Sequence, residues 1–181
     1  MAAGTIYVYA RDGVGSSVNG SEGLGGKMDT GHVFVTVRDN EAREQIDVDV
    51  WRGPNGEMYV NEVVSFDRRE QHSVVAFDID RETLDRAMAA AENFHRESQG
   101  YEVFSFNCTD AVEAVLSQTN LPIQDYTFPA SVFNAIQELG AAGRLDGYAV
   151  AFCDDVGRPP DHSPGGFPSG HAPPSGGPDA H

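Results

Sequence analysis

Apolar and polar residues alternate along several stretches of the chain, as they do on half-buried β-strands. Thr5-Ile6-Tyr7-Val8-Tyr9-Ala10 reads as a first strand, rich in β-branched and aromatic residues. Gly31-His32-Val33-Phe34-Val35-Thr36-Val37 and Gln45-Ile46-Asp47-Val48-Asp49-Val50-Trp51 follow, with the polar segment Arg38 to Arg43 between them, so the two are expected to form an antiparallel hairpin. Met58-Tyr59-Val60 predicts a short strand. Ser73 to Ile79, Tyr101 to Phe106 and Gly147 to Cys153 predict further strands. Apolar positions at helical spacing place helices from Arg81 to about Ser98, capped by Asp80 and stopped by Gly100, and from Cys108 to about Gln118, capped by Asn107. A third runs from Ala130 to Leu139, after Pro129 and before Gly140. The order of these elements implies an α+β domain over residues 1–153, an antiparallel sheet packed against helices.

Period two fixes which hairpin residues share a face. Val33, Val35 and Val37 oppose His32, Phe34 and Thr36; Val48 and Val50 oppose Asp47, Asp49 and Trp51. With the turn centred near Asn40 and Glu41, His32 lies across from Asp49, and a small slip of register brings Asp47 there instead. Either register sets a carboxylate beside an imidazole. Taken singly, Asp47 and Asp49 also fit a solvated sheet face, and His72 and His95 read as surface or packing histidines.

Two segments lack this patterning. Residues 11–30 are glycine-rich and nearly devoid of apolar side chains, a long loop that suits the rim or lid of a site. No Gly-Lys-Ser or Gly-Lys-Thr follows, so it is not a phosphate loop. From Asp154 to His181 the chain turns to Pro, Gly, Ser and Asp, a composition expected to remain disordered. Its histidines, His162, His171 and His181, are spaced as no defined metal site requires, so neither a metal nor another cofactor is expected.

Charge narrows the partners. Twelve basic residues against 28 acidic ones give a formal net charge of -16. Phosphate backbones and anionic lipid surfaces would repel such a chain, which argues against nucleic-acid or membrane-surface binding and leaves a basic protein partner open. No apolar run is long enough for a membrane span, and no secretory signal opens the sequence. A cytoplasmic protein is expected, or one exported by a signal-independent secretion system. Cys108 and Cys153 are too few for a disulfide framework; one bond between them is the simplest structural role for both, with Cys153 otherwise structural.

Cys108 stands where an extended segment passes into a helix. Unpaired N–H groups and the positive end of the helix dipole favour a thiolate there, whereas most lone cysteines are simply small buried apolar groups. Gly31-His32-Val33-Phe34-Val35, followed about 75 residues later by Asn107-Cys108-Thr109-Asp110, resembles the circularly permuted members of the papain-like, NlpC-type superfamily, in which histidine precedes cysteine. Its branches include cell-wall endopeptidases and amidases, lecithin:retinol acyltransferase-like enzymes and deubiquitinating-type peptidases. The resemblance covers residues 5 to about 118. It implies a papain-like permuted topology and a cysteine hydrolase that cleaves an amide bond in a peptide, such as the peptide stem of peptidoglycan. Cys108 would be the nucleophile, His32 the general base and acid, and Asp49, or second Asp47, the residue that orients it. Thr109-Asp110 replaces the glutamate and histidine usual after the cysteine in the acyltransferase branch, which places lipid substrates lower. An amidase toxin or effector fits the missing signal. A non-catalytic acidic protein meeting a basic partner and a thioester acyltransferase are the alternatives.

Overall fold

The computed structural model describes residues 2–11, 31–52, 58–61, 63–96, 107–123, 126 and 128–153. The loop expected at 11–30, beyond Arg11, the strand at 101–106 and the tail at 154–181 lie outside them, as does the end of the first helix at 97–100. Among the described residues, six strands form one antiparallel sheet: β1 (Gly4–Arg11), β2 (His32–Asp39), β3 (Gln45–Arg52), β4 (Met58–Asn61), β5 (Ser73–Ile79) and β6 (Ala149–Ala151). Their order across the sheet is β4-β3-β2-β1-β5-β6. A short helix, α1 (Phe66–Glu70), precedes β5. Three longer ones follow it, α2 (Arg81–Arg96), α3 (Cys108–Leu116) and α4 (Pro129–Ala141), with a single 3-10 turn, Ser117–Thr119, closing α3. The architecture is α+β, as the residue pattern implies. No described helix is long and apolar enough to cross a membrane.

Alternation sorts the sheet into two faces with different covers. Ile6, Val8, Ala10, Val33, Val35, Val37, Val48, Val50, Val75 and Phe77 share one core with Leu84 and Ala87 of α2, Val112 and Val115 of α3, and Val132 and Ile136 of α4. The opposite face carries a second core: Tyr7, Tyr9, Phe34, Val74 and Ala76, closed by Val64. The tyrosine and phenylalanine rings stack here, Tyr9 on Phe34 with centroids 4.5 Å apart. The site described below grows from this second face.

The hairpin register departs from the expected one by two residues. Val35 pairs with Val48, and Thr36 with Asp47. Continued along the strands, this sets Trp51, not Asp49, opposite His32. The turn is the cause. Asp39 Oδ1 accepts from the N–H groups of Glu41 and Ala42, Arg43 takes the left-handed conformation at φ 60°, and Asp39 N–H bonds Glu44 O. The reversal therefore centres between Glu41 and Ala42 rather than between Asn40 and Glu41. The face assignment survives because a shift of two preserves the side of every side chain.

Candidate active site

His32 and Asp49 meet diagonally across β2 and β3. The His32 Nε2 to Asp49 Oδ1 distance is 2.6 Å, with His32 3% exposed and Asp49 wholly buried. Three further groups close on the same carboxylate: Trp51 Nε1–H at 2.7 Å on Oδ1, Asn61 Nδ2 at 2.7 Å on Oδ2, and the Arg68 guanidinium, whose Nε lies 3.1 Å from Oδ2. Asp49 thus stays ionised. Burial alone would raise its pKa, but the His32 hydrogen bond and charge, the Asn61 amide and Arg68 outweigh burial and lower it. A carboxylate only accepts, so His32 must donate from Nε2.

The His32 ring is neutral near pH 7. Burial lowers its pKa, and the bond to Asp49 offsets only part of that effect. With Nε2 protonated, Nδ1 holds the lone pair, and among the described residues it has no hydrogen-bond partner. Trp51 lies against the ring, centroids 3.9 Å apart, and the Arg68 guanidinium carbon stands 4.2 Å from the Trp51 ring centre. A flat indole and a cation together shield the His32 to Asp49 bond from water.

Asp47 serves a different purpose. It accepts from Thr36 Oγ1, from the Val64 N–H and from Arg69 NH2 on both oxygens, at 2.6 to 2.8 Å. Arg69 NH1 also donates to Thr36 Oγ1, so one buried ion pair fastens α1 and the chain before it to β2 and β3. Between the two candidate orienters, only Asp49 reaches His32. Both carboxylates are buried, so neither forms the solvated sheet face that composition alone allows. His95 is a packing histidine: its Nε2 bonds the Asp47 carbonyl at 2.8 Å and ties α2 to β3.

Cys108 opens α3 as the sequence leads one to expect. The Asn107 side chain accepts from the Thr109 N–H and the Asp110 carboxylate accepts from the Asn107 N–H, a complete capping box. α3 packs on β2 and β3, so the helix of the cysteine and the strand of the histidine are neighbours. The thiol itself is 5% exposed and belongs to the core that contains Val33, while His32 turns to the other face. No disulfide joins Cys108 and Cys153.

Trp51, Asn61, Arg68 and His72 complete the site and carry no signal that singles them out in the sequence, except that Trp51 stands two residues from Asp49 on its face. His72 is buried, the packing role rather than the surface one of the two that the sequence leaves open. Its ring meets Phe34 edge-on at 5.0 Å and His32 at 6.0 Å. Its Nδ1–H donates to Arg68 O at 2.7 Å. Burial lowers its pKa to about 4, the Arg68 carbonyl opposing and the nearby His32 and Arg68 reinforcing the shift.

That shift makes a prediction about stability. An unfolded His72 takes up a proton near pH 6.5 and the folded one only near 4, so the unfolded state binds more protons in that window and stability falls with falling pH. Between pH 7 and 5 the loss from this group is about 2 kcal/mol. Urea unfolding at the two values, with His72→Asn as reference, is expected to show the variant losing less than the parent by that amount; equal losses would contradict it.

A cavity of about 620 Å³ is lined by Asp78, Asp80, Arg81, Arg144 and Asp146, among others. It lies beyond the Gly4 end of β1, whereas His32 pairs with Arg11 at the other end. No group of three metal-binding side chains occurs among the described residues. Compared with protein-family models, curated proteins and solved structures, the chain matches none of them.

Proposed function

We propose that this protein is a papain-like cysteine hydrolase of permuted order, cleaving an amide bond in a peptide, with the peptide stem of peptidoglycan as the leading substrate class. The observation that carries the reading is the buried 2.6 Å bond from His32 Nε2–H to Asp49, shielded by Trp51, which fixes the tautomer and leaves Nδ1 as the base. This reading requires the Cys108 thiol, on the opposite face of β2 from the His32 ring, to come within reach of that ring when substrate binds; the Cys108 proton then passes to His32 Nδ1 and the thiolate attacks the substrate carbonyl carbon. The backbone N–H of Cys108 is one donor to the oxyanion. His32 returns the proton to the departing amine, and water, deprotonated by the same nitrogen, releases the acid from the thioester. Transfer of the acyl group to an amine or alcohol instead of water would make it an acyltransferase with the same residues. The formal charge of -16 suits a basic substrate or partner.

A second reading rests on the burial of Cys108 in the helix-facing core: a non-catalytic acidic protein that binds a basic partner, with the His32 cluster as a structural clamp. Alkylation separates the two. Iodoacetamide labelling of Cys108, read apart from Cys153 by mass spectrometry, is expected to be rapid below pH 7 and at least about tenfold slower in His32→Ala. Labelling only above about pH 8.5, or only after denaturation, would overturn the hydrolase reading in favour of the binding protein.

A further inference from the structure

Two adjacent arginines of α1 meet two carboxylates spaced two residues apart on β3. Such carboxylates share one face of the strand, about 7 Å from each other, and consecutive helix residues diverge by about 100°, so one short helix reaches both. Arg69 goes to Asp47 and Arg68 to Asp49. The two arginines are not equivalent. Arg69 is buried and donates to Thr36 and to both oxygens of Asp47, which fixes where α1 sits. The Arg68 side chain is 29% exposed, and its Nε, 3.1 Å from Asp49 Oδ2, makes no hydrogen bond there, so the contact is one of charge. His32, Trp51 and Asn61 already donate to Asp49 without it.

A cation that the carboxylate does not need for hydrogen bonding still acts on the neighbour they share. The charge of Asp49 favours a protonated His32, and whatever part of that charge Arg68 offsets works against protonation. The guanidinium carbon also stands 4.2 Å from the centre of the Trp51 ring, which lies 3.9 Å from the His32 ring. Arg68 therefore touches both supports of the imidazole. The other charged or titratable groups around His32 are Arg11, its partner on β1, and His72, whose ring is 6.0 Å away. The Asp47 and Arg69 charges on the same face offset each other. Burial is the largest influence on the His32 pKa and lowers it; Asp49 opposes through its hydrogen bond and charge, and Arg68 and then Arg11 reinforce the lowering.

We propose that Arg68 is a positioning residue for His32: it offsets the Asp49 charge and backs Trp51, so that the imidazole keeps the Nδ1 lone pair free, while Arg69 beside it anchors the helix that delivers it. The inference rests on the reading of His32 as the base, since a ring already protonated cannot take the Cys108 proton.

The test is an NMR titration of His32 in the full chain, isotope-labelled at histidine, with His32→Gln to assign its signal. In Arg68→Gln the proton affinity of His32 is expected to rise about three- to tenfold, the ring charging at higher pH than in the parent. The variant should fold, because three donors remain on Asp49. Arg68→Met, whose apolar stem still covers Trp51, is a second neutral variant with the same expectation. Arg68→Lys keeps the charge and should stay within about twofold of the parent. A purely structural role would lower the stability of these variants and leave the His32 midpoint in place. An unmoved or lowered midpoint in the neutral variants, or a lysine variant displaced as far as they are, would overturn the proposal. Alkylation of Cys108 in the same samples keeps the two readings apart: labelling insensitive to His32→Ala would fail the hydrolase reading and leave the effect of Arg68 on His32 standing.

Discussion

Replacing Asp49 with alanine is expected to destabilise the fold by about 3–5 kcal/mol, against a typical total of about 5–15 kcal/mol for a domain. The wholly buried carboxylate accepts from His32, Trp51 and Asn61 and neutralises Arg68, so its loss strands three donors and a cation at once. Asp49→Asn keeps the volume and one accepting oxygen, and should lose roughly half as much. It also removes the charge that stabilises a protonated His32, so the low-pH alkylation of Cys108 should fall in the folded fraction of the Asp49→Asn variant. Urea unfolding and thiol labelling of both variants read the two effects separately. Near-parent stability of Asp49→Ala would mean that the cluster is open to water.

The second large effect concerns the Asp47 and Arg69 pair. Removing either partner, as Asp47→Leu or Arg69→Met, leaves the other charge buried, and each single change is expected to cost about 3–5 kcal/mol. The double variant has no stranded charge, though the Val64 N–H and Thr36 hydroxyl lose an acceptor. It should cost no more than one single change, a coupling of at least about 2 kcal/mol in a double-mutant cycle by urea unfolding. Additive losses would show that the pair does not act as a unit.

The sequence makes some of this site legible and conceals the rest for definite reasons. Strict alternation in 31–37 and 45–51 puts His32 and Asp49 on one face, because face depends only on parity. Their pairing across the sheet depends on where the turn centres, and the left-handed Arg43 moves that by one position. The cap on α3 is readable from Asn107 and Asp110, three residues apart. α1 is not: Phe66–Glu70 is five residues with one apolar side chain, too short to show a period. Since Arg68 and Arg69 arrive on that helix, the burial of Asp47 and Asp49 is equally hidden. A carboxylate's counter-charge some 20 residues away leaves no trace in the local pattern.

The place of β1 in the sheet bears on how the chain is made. β1, which precedes the other described strands along the chain, sits at the centre, paired on one side with β2 and on the other with Ser73–Ile79 of β5. During vectorial synthesis it can form a hairpin-like ladder with β2 early, yet its second edge waits until β5 has emerged. Until then Tyr7 and Tyr9, destined for a buried face, belong to a strand with open hydrogen-bonding groups. A nascent chain halted before residue 79 would therefore present a sticky, apolar edge, and chaperone demand should drop sharply once β5 docks.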